Sequence, residues 1–176
     1  KMRYAGWRAE YDESGNQTKT VYFGIDGEPR LSSEGFAMKQ VAFDERGNEV
    51  QTTFLDTQGN PLMLMEGGYA GWKYIYDDRG NRIRIAYFDT DGNPCSCGLG
   101  FAGWNADYDE RGDRVRMAYF GPDGSPCVGK GGYAGWNSVF DERGNEIRTT
   151  YFGTDGAPCF NKDGYAGWEA VFDDRG

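Results

Sequence analysis

The sequence predicts an all-β protein, built from one β-hairpin unit that recurs in tandem about every 32 residues. Three observations predict this. All five Trp residues occupy a single repeat position. Gly- and Asp-rich turn chemistry returns at fixed offsets within each repeat. No stretch combines helical periodicity with capping residues.

The repeat reads directly off the chain. The pattern Gly-aromatic-Ala-Gly-Trp occurs as Gly68 to Trp72, Gly100 to Trp104, Gly132 to Trp136 and Gly164 to Trp168. Trp7 belongs to the same motif, and the remaining copy, Gly35-Phe36-Ala37, carries Lys39 at the Trp position. A second block follows each Trp, as in Tyr76-Asp77-Asp78-Arg79-Gly80-Asn81, and a third ends at Pro29, Pro61, Pro94, Pro126 or Pro158. The step from Pro61 to Pro94 is one residue longer than the others, which places an extra residue between Leu62 and Gly68. Self-similarity of this kind marks a solenoid or repeat array. The expected organisation is one array over 1–176, with units near 4–34, 35–67, 68–99, 100–131, 132–163 and a partial 164–176. The chain opens inside a repeat at Tyr4 and reaches Gly176 inside a turn motif. Both ends are therefore expected to be cuts from a longer array, with any targeting segment outside this window.

The third repeat shows how each element is assigned. Alternation puts Trp72, Tyr74 and Tyr76 on one face of a first strand. In the second strand Ile83, Ile85 and Tyr87 share a face, with Arg82 and Arg84 on the other. Asp77-Asp78-Arg79-Gly80 fits a type I turn with a glycine bulge. Pairing Asp77 with Gly80 then sets Tyr74 opposite Ile83 and Trp72 opposite Ile85, and the next repeat pairs Ala106 with Val115 and Trp104 with Met117. A one-residue slip would mix the faces. The Asp-Gly before Pro94 is a second turn, Pro94 opens a short third strand, and the Gly-Tyr-Ala-Gly segment is a third bend.

A lone hairpin is marginal in water, so each ring-bearing face needs a neighbouring copy. Stacked hairpins forming a β-solenoid or superhelical ribbon are the first expectation, an extended antiparallel meander the second, and a propeller-like ring the third.

Composition bounds function. Aromatic residues at 16% argue against disorder, and a net charge of −9 with interleaved Lys and Arg shows no basic patch for nucleic acid. No apolar run is long enough to span a bilayer as a helix. The chain has no His, no Gly-x-Ser-x-Gly elbow and no phosphate-binding Gly loop, so it is not expected to be an enzyme. No cofactor is expected. Three of the four Cys obey the repeat, Cys95, Cys127 and Cys159, and Cys97 would share a strand face with Cys95. These are the chain's candidates for a metal or disulfide ladder, but the spacing lacks the close pairs of a zinc site, and half-buried apolar packing is the preferred reading. Asp89-Thr90-Asp91-Gly92-Asn93 resembles the opening of a calcium loop, but its equivalents begin with Gly24, Gly121 and Gly153, so turn chemistry is preferred.

The order of Gly-Trp, aromatic strand, Asp-x-x-Gly, Tyr-Phe and Asp-Gly resembles bacterial surface repeats. The nearest in style are choline-binding and cell-wall-binding repeats and the repetitive oligopeptides of large clostridial toxins, with shorter units and no regular Pro-Cys. Tyr-Asp-x-x-Gly-Asn is also similar to YD-type (RHS) repeats. The resemblance implies β-hairpin solenoids that bind choline or glycans between repeats. Carried over, it makes Trp72, Trp104, Trp136 and Trp168 pocket candidates, with Tyr87, Tyr119 and Tyr151 as partners. The expected function is a noncatalytic repeat region, extracellular or at the cell surface, binding glycan, cell wall or protein by avidity. The alternative is a structural spacer, adhesin stalk or fibre that self-associates end to end.

Overall fold

The structure, a computed structural model, describes residues 4–173. Its eleven strands are β1 (Gly6–Tyr11), β2 (Gln17–Phe23), β3 (Met38–Phe43), β4 (Glu49–Leu55), β5 (Gly71–Tyr76), β6 (Arg82–Phe88), β7 (Gly103–Tyr108), β8 (Arg114–Phe120), β9 (Gly135–Phe140), β10 (Glu146–Phe152) and β11 (Gly167–Glu169). They lie in one sheet in sequence order, and no helix occurs among the described residues. The all-β, tandem-hairpin prediction holds, with the strands ordered as a meander. Gly176, on which the reading of the C-terminal end rests, lies outside the described residues.

The chain forms two compact units. One runs to Ile75 and takes in Ala86–Gly98; the other comprises Tyr76–Ile85 and the chain from Leu99 onward.

The turns explain the Asp-x-x-Gly motif. In β7–β8 the Asp109 N–H donates to the Asp113 carbonyl at 3.0 Å, and the Gly112 N–H to the Asp109 carbonyl at 3.1 Å. Asp109 Oδ1 accepts from the backbone N–H of Arg111 and of Asp113, both at 2.9 Å. The carboxylate thus satisfies amides that the tight turn leaves without backbone partners. Gly112 sits at φ 90°, the left-handed region that L side chains rarely adopt.

This geometry corrects the expected register. The turn closes one residue later than anticipated, and a bulge adds another. Tyr108 pairs with Arg114 but Asp107 with Arg116, leaving Val115 as the extra residue. Trp104 therefore faces Tyr119 rather than Met117, and Ala106 faces Met117 rather than Val115. The same pairing recurs as Trp7 with Tyr22 and Trp136 with Tyr151. Two shifts of one preserve the parity, so the strand faces beyond the bulge stand as predicted. The residue before it does not: Arg114 is carried to the ring-bearing face, where its guanidinium lies 5.8 Å from the Trp104 ring centroid. Arg82, expected on the opposite face, lies 5.8 Å from the Tyr76 ring.

Pro94 does not open a third strand. It makes a single bridge with Phe88, repeated at Pro29, Pro61, Pro126 and Pro158. The extra residue of the longer repeat falls in the third bend, where the Leu64 N–H reaches the Tyr69 carbonyl while the equivalent Gly129 N–H reaches that of Tyr133, one residue nearer.

Neighbouring hairpins join by backbone ladders. Met117 pairs with Trp136 and Ala118 with Gly135 across β8–β9. The Ala of the Tyr-Ala-Gly-Trp motif serves both sides: the Ala134 N–H donates to the Phe152 carbonyl and its carbonyl accepts from the Tyr119 N–H. Its methyl is buried, as are those of Ala37, Ala70 and Ala102. The following glycine has an equally firm reason. A Cβ on Gly135 would lie 2.2 Å from the Met117 carbonyl oxygen and 2.3 Å from the Phe152 ring. Gly71 and Gly103 repeat this, against Phe88 and Phe120.

Two further ladders link successive copies. Backbone bonds run from Gly98 N–H to Gly67 in the first unit, and from Lys130 to Leu99 and Lys162 to Gly131 in the second. At the opposite end, each turn Arg reaches into the next turn. Arg79 donates to the Asp109 carbonyl at 3.0 Å and to that of Glu110, and Arg111 to the Asp141 carbonyl at 2.7 Å and to that of Glu142. Arg143 donates to Asp173 at 3.4 Å.

Candidate functional site

The ring-bearing face has two lines of side chains. The inner line is the core: Val41 and Thr52 in the first unit, and Ile85, Ala106, Met117, Ser138 and Thr149 in the second, all buried. The outer line is aromatic. In the first unit the rings of Tyr4, Tyr22, Phe36, Phe54, Tyr69 and Tyr87 follow one another at centroid distances of 4.7, 5.7, 4.7, 6.4 and 4.7 Å. In the second, Phe101, Tyr119, Tyr133, Tyr151 and Tyr165 do so at 4.4, 5.8, 4.4 and 6.1 Å. Strand rings alternate with rings from the third bend in stacked, tilted and edge-on pairs, and such aromatic pairs add stabilisation beyond their buried area.

This ladder accounts for Tyr87, Tyr119 and Tyr151. Each has a bend ring against it, Tyr69 on Tyr87, Phe101 on Tyr119 and Tyr133 on Tyr151. Burial holds the Tyr119 hydroxyl well above its ordinary range, with the Tyr133 phenol adding to the effect. These tyrosines form packing first and surface second.

The Trp residues differ from one another. Trp72 is enclosed by Phe54 at 5.3 Å, Tyr69 at 5.8 Å and Tyr74 at 6.1 Å, and its Nε1–H donates to Glu49 Oε1 at 2.9 Å. Trp104 and Trp136 are half-buried, and what lies against both is Arg114, at 5.8 and 5.3 Å from the ring centroids. Trp168 on β11 is exposed. The register staggers successive hairpins by two residues, since Trp136 lies opposite Met117, which lies opposite Ala106. The Cα atoms of Trp104 and Trp136 are thus about 12 Å apart on a diagonal, from two strand spacings and two residues of rise.

The first position of each second strand controls the polarity of this face. It holds Gln17, Glu49, Arg82, Arg114 and Glu146. Where the residue three further on bears a hydroxyl, the two are bonded. Gln17 donates to Thr20, Glu49 Oε1 accepts from Thr52, and Glu146 Oε1 accepts from Thr149 and from Ser138. Where that residue is apolar, as at Ile85 and Met117, the position is Arg. The expected sites did not include this position, although its alternation with Thr or an apolar residue was visible in the sequence.

The cysteines do not come together as a site. All four are free thiols, and among the described residues no three of His, Cys, Asp and Glu are grouped to hold a metal. Cys97 does not share a strand face with Cys95: it is buried at the start of the third bend, where Ser32 and Asn161 stand in other copies. Burial pushes the Cys95 thiol up, with Asp89 and Cys97 adding, and Cys159 behaves likewise beside Asp155. Asp89 is engaged by the Asp91 and Asn93 amides. In the copies that begin with Gly24, Gly121 or Gly153, the Asp two residues on takes over, accepting from Glu28, Ser125 or Ala157. These carboxylates hold turns.

On the opposite face a groove of about 270 Å³ runs between hairpins in the second unit, lined among others by Arg116, Phe120, Phe152 and Asp155. It contains none of the Trp side chains. No family model and no curated protein matches the chain.

Proposed function

We propose that this chain is a noncatalytic, tandem-repeat binding region of a bacterial surface or secreted protein, and that it engages an extended glycan along the Trp row of its ring-bearing face. The observation that carries this is the half-buried state of Trp104 and Trp136, with Trp168 exposed beyond them. Their rings lie on a sheet face over which the described residues place no second sheet or helix. Aromatic faces stack on the C–H side of sugar rings, and a row of such platforms lets modest contacts add by avidity. The paired strands hold Trp104 opposite Tyr119 and Trp136 opposite Tyr151, and a row borne on a sheet rather than on loops limits the ordering cost of binding.

The test is a titration with cell-wall fragments and β-1,4-linked oligosaccharides, followed by Trp fluorescence. Binding should shift the emission, and Trp104→Ala and Trp136→Ala should each weaken it. No response to any of these ligands, with particle size growing with protein concentration, would favour a structural spacer instead. That second reading has its own support in the Arg111 clamp and the bend ladder, which serve cohesion alone.

A further inference from the structure

Arg114 touches the two Trp rings but makes no hydrogen bond or ion pair through its side chain among the described residues. Its guanidinium lies between the Trp104 and Trp136 rings, 5.8 and 5.3 Å from their centroids. Its Nε is enclosed and makes no hydrogen bond. No hydrogen bond or ion pair to the guanidinium occurs among the described residues, and the residue as a whole is half-buried, so its two Nη groups face the open side. The equivalent Glu49 and Glu146 are, by contrast, satisfied by hydroxyls and by a Trp N–H. A guanidinium carries five donors and no acceptor, and its planar fork matches a carboxylate.

We infer that the Trp104–Arg114–Trp136 cluster is a subsite for a carboxylate-bearing sugar, the two rings stacking on the glycan while Arg114 binds its carboxylate. The inference rests on the glycan-binding reading and adds the class of sugar. Arg is held by its stacking on both rings, so little side-chain entropy remains to be lost on binding. The net charge of −9 supplies no long-range attraction for an anionic polymer, so the preference has to come from a local contact such as that of Arg114. The neighbouring equivalent, Glu146, has its Oε1 engaged by Ser138 and Thr149, so this position offers no cation on the hairpin formed by β9 and β10.

The experiment compares two ligands with one backbone: cellotetraose and the β-1,4-glucuronan tetramer, which differ by a carboxylate in place of each hydroxymethyl group. Both are titrated into the whole chain and into Arg114→Gln, Arg114→Lys and Trp136→Ala variants, with Trp fluorescence and calorimetry as readouts. The expected result is binding of the glucuronan about tenfold or more tighter than cellotetraose, from a charge-assisted hydrogen-bonded pair. Arg114→Gln should weaken glucuronan binding by about tenfold or more and so abolish the ratio between the two tetramers, and Arg114→Lys should restore only part of it. Equal binding of the two tetramers by the unaltered chain would overturn the inference and leave the glycan reading standing. Binding of neither would overturn both. A poly-glutamate peptide that bound as tightly as the glucuronan would overturn the assignment to a sugar.

Discussion

Replacing Gly135 with alanine places a methyl group where the structure has no room for one. The new carbon would sit 2.2 Å from the Met117 carbonyl oxygen and 2.3 Å from the Phe152 ring. The oxygen belongs to the backbone of the neighbouring strand, so relief requires parting β8 from β9. Overpacking costs about 1–3 kcal/mol, and each ladder hydrogen bond lost adds about 1 kcal/mol, for a total of about 3–4 kcal/mol. For a chain of this size that is a fall of about 10 °C in melting temperature. Gly156→Ala is the control: its φ is 79° and nothing lies within 4 Å of the added carbon. It should cost only the backbone strain, about 1–2 kcal/mol. Urea unfolding followed by far-UV circular dichroism gives both values. A Gly135→Ala variant no less stable than Gly156→Ala would refute the packing argument for the Gly-Trp motif.

Three further outcomes are expected. Arg111→Ala removes the clamp on the Asp141 and Glu142 carbonyls. It should cost about 1 kcal/mol and speed hydrogen exchange at the turn amides of Asp141 to Asn145, and Arg111→Lys should not restore the loss. Asp44, Asp77 and Asp141 are held below the ordinary 3.8 first by the Asn side chains at the turn ends. Groups with a depressed folded value contribute stability above the unfolded value and lose it as pH falls through the lower folded ones. The urea midpoint should therefore drop as pH is lowered through and below 3.8, and Asp141→Asn should flatten part of that drop. Alkylation followed by mass spectrometry should modify Cys127 before Cys97, which is buried, and Cys97→Ser should leave the fold intact because Ser32 fills the same position.

The repeat, the strands and the turn positions were legible because tight turns demand particular residues: Asp109 and Gly112 can be read without knowing what surrounds them. Register was not. A bulge at Val115 leaves no mark that separates it from a regular strand residue, and the turn's closing pair depends on a bond between the Asp109 N–H and the Asp113 carbonyl that any residue could make. The short third strand was overread, because Pro94 has no N–H to continue a ladder beyond its single bridge. Among candidate binding groups the Trp positions were legible. The reach of Arg114 between two of them was not, because it depends on the bulge turning that side chain to the ring-bearing face.

Neighbouring copies stabilise one another through the ladders, ring stacks and Arg clamps between them. The most direct measurement is the urea midpoint of arrays with one to five identical copies of the 132–163 unit. A single copy should be unfolded, and the midpoint should climb with each copy added. A single copy that folded cooperatively, with a midpoint unchanged in the longer arrays, would contradict this mutual stabilisation.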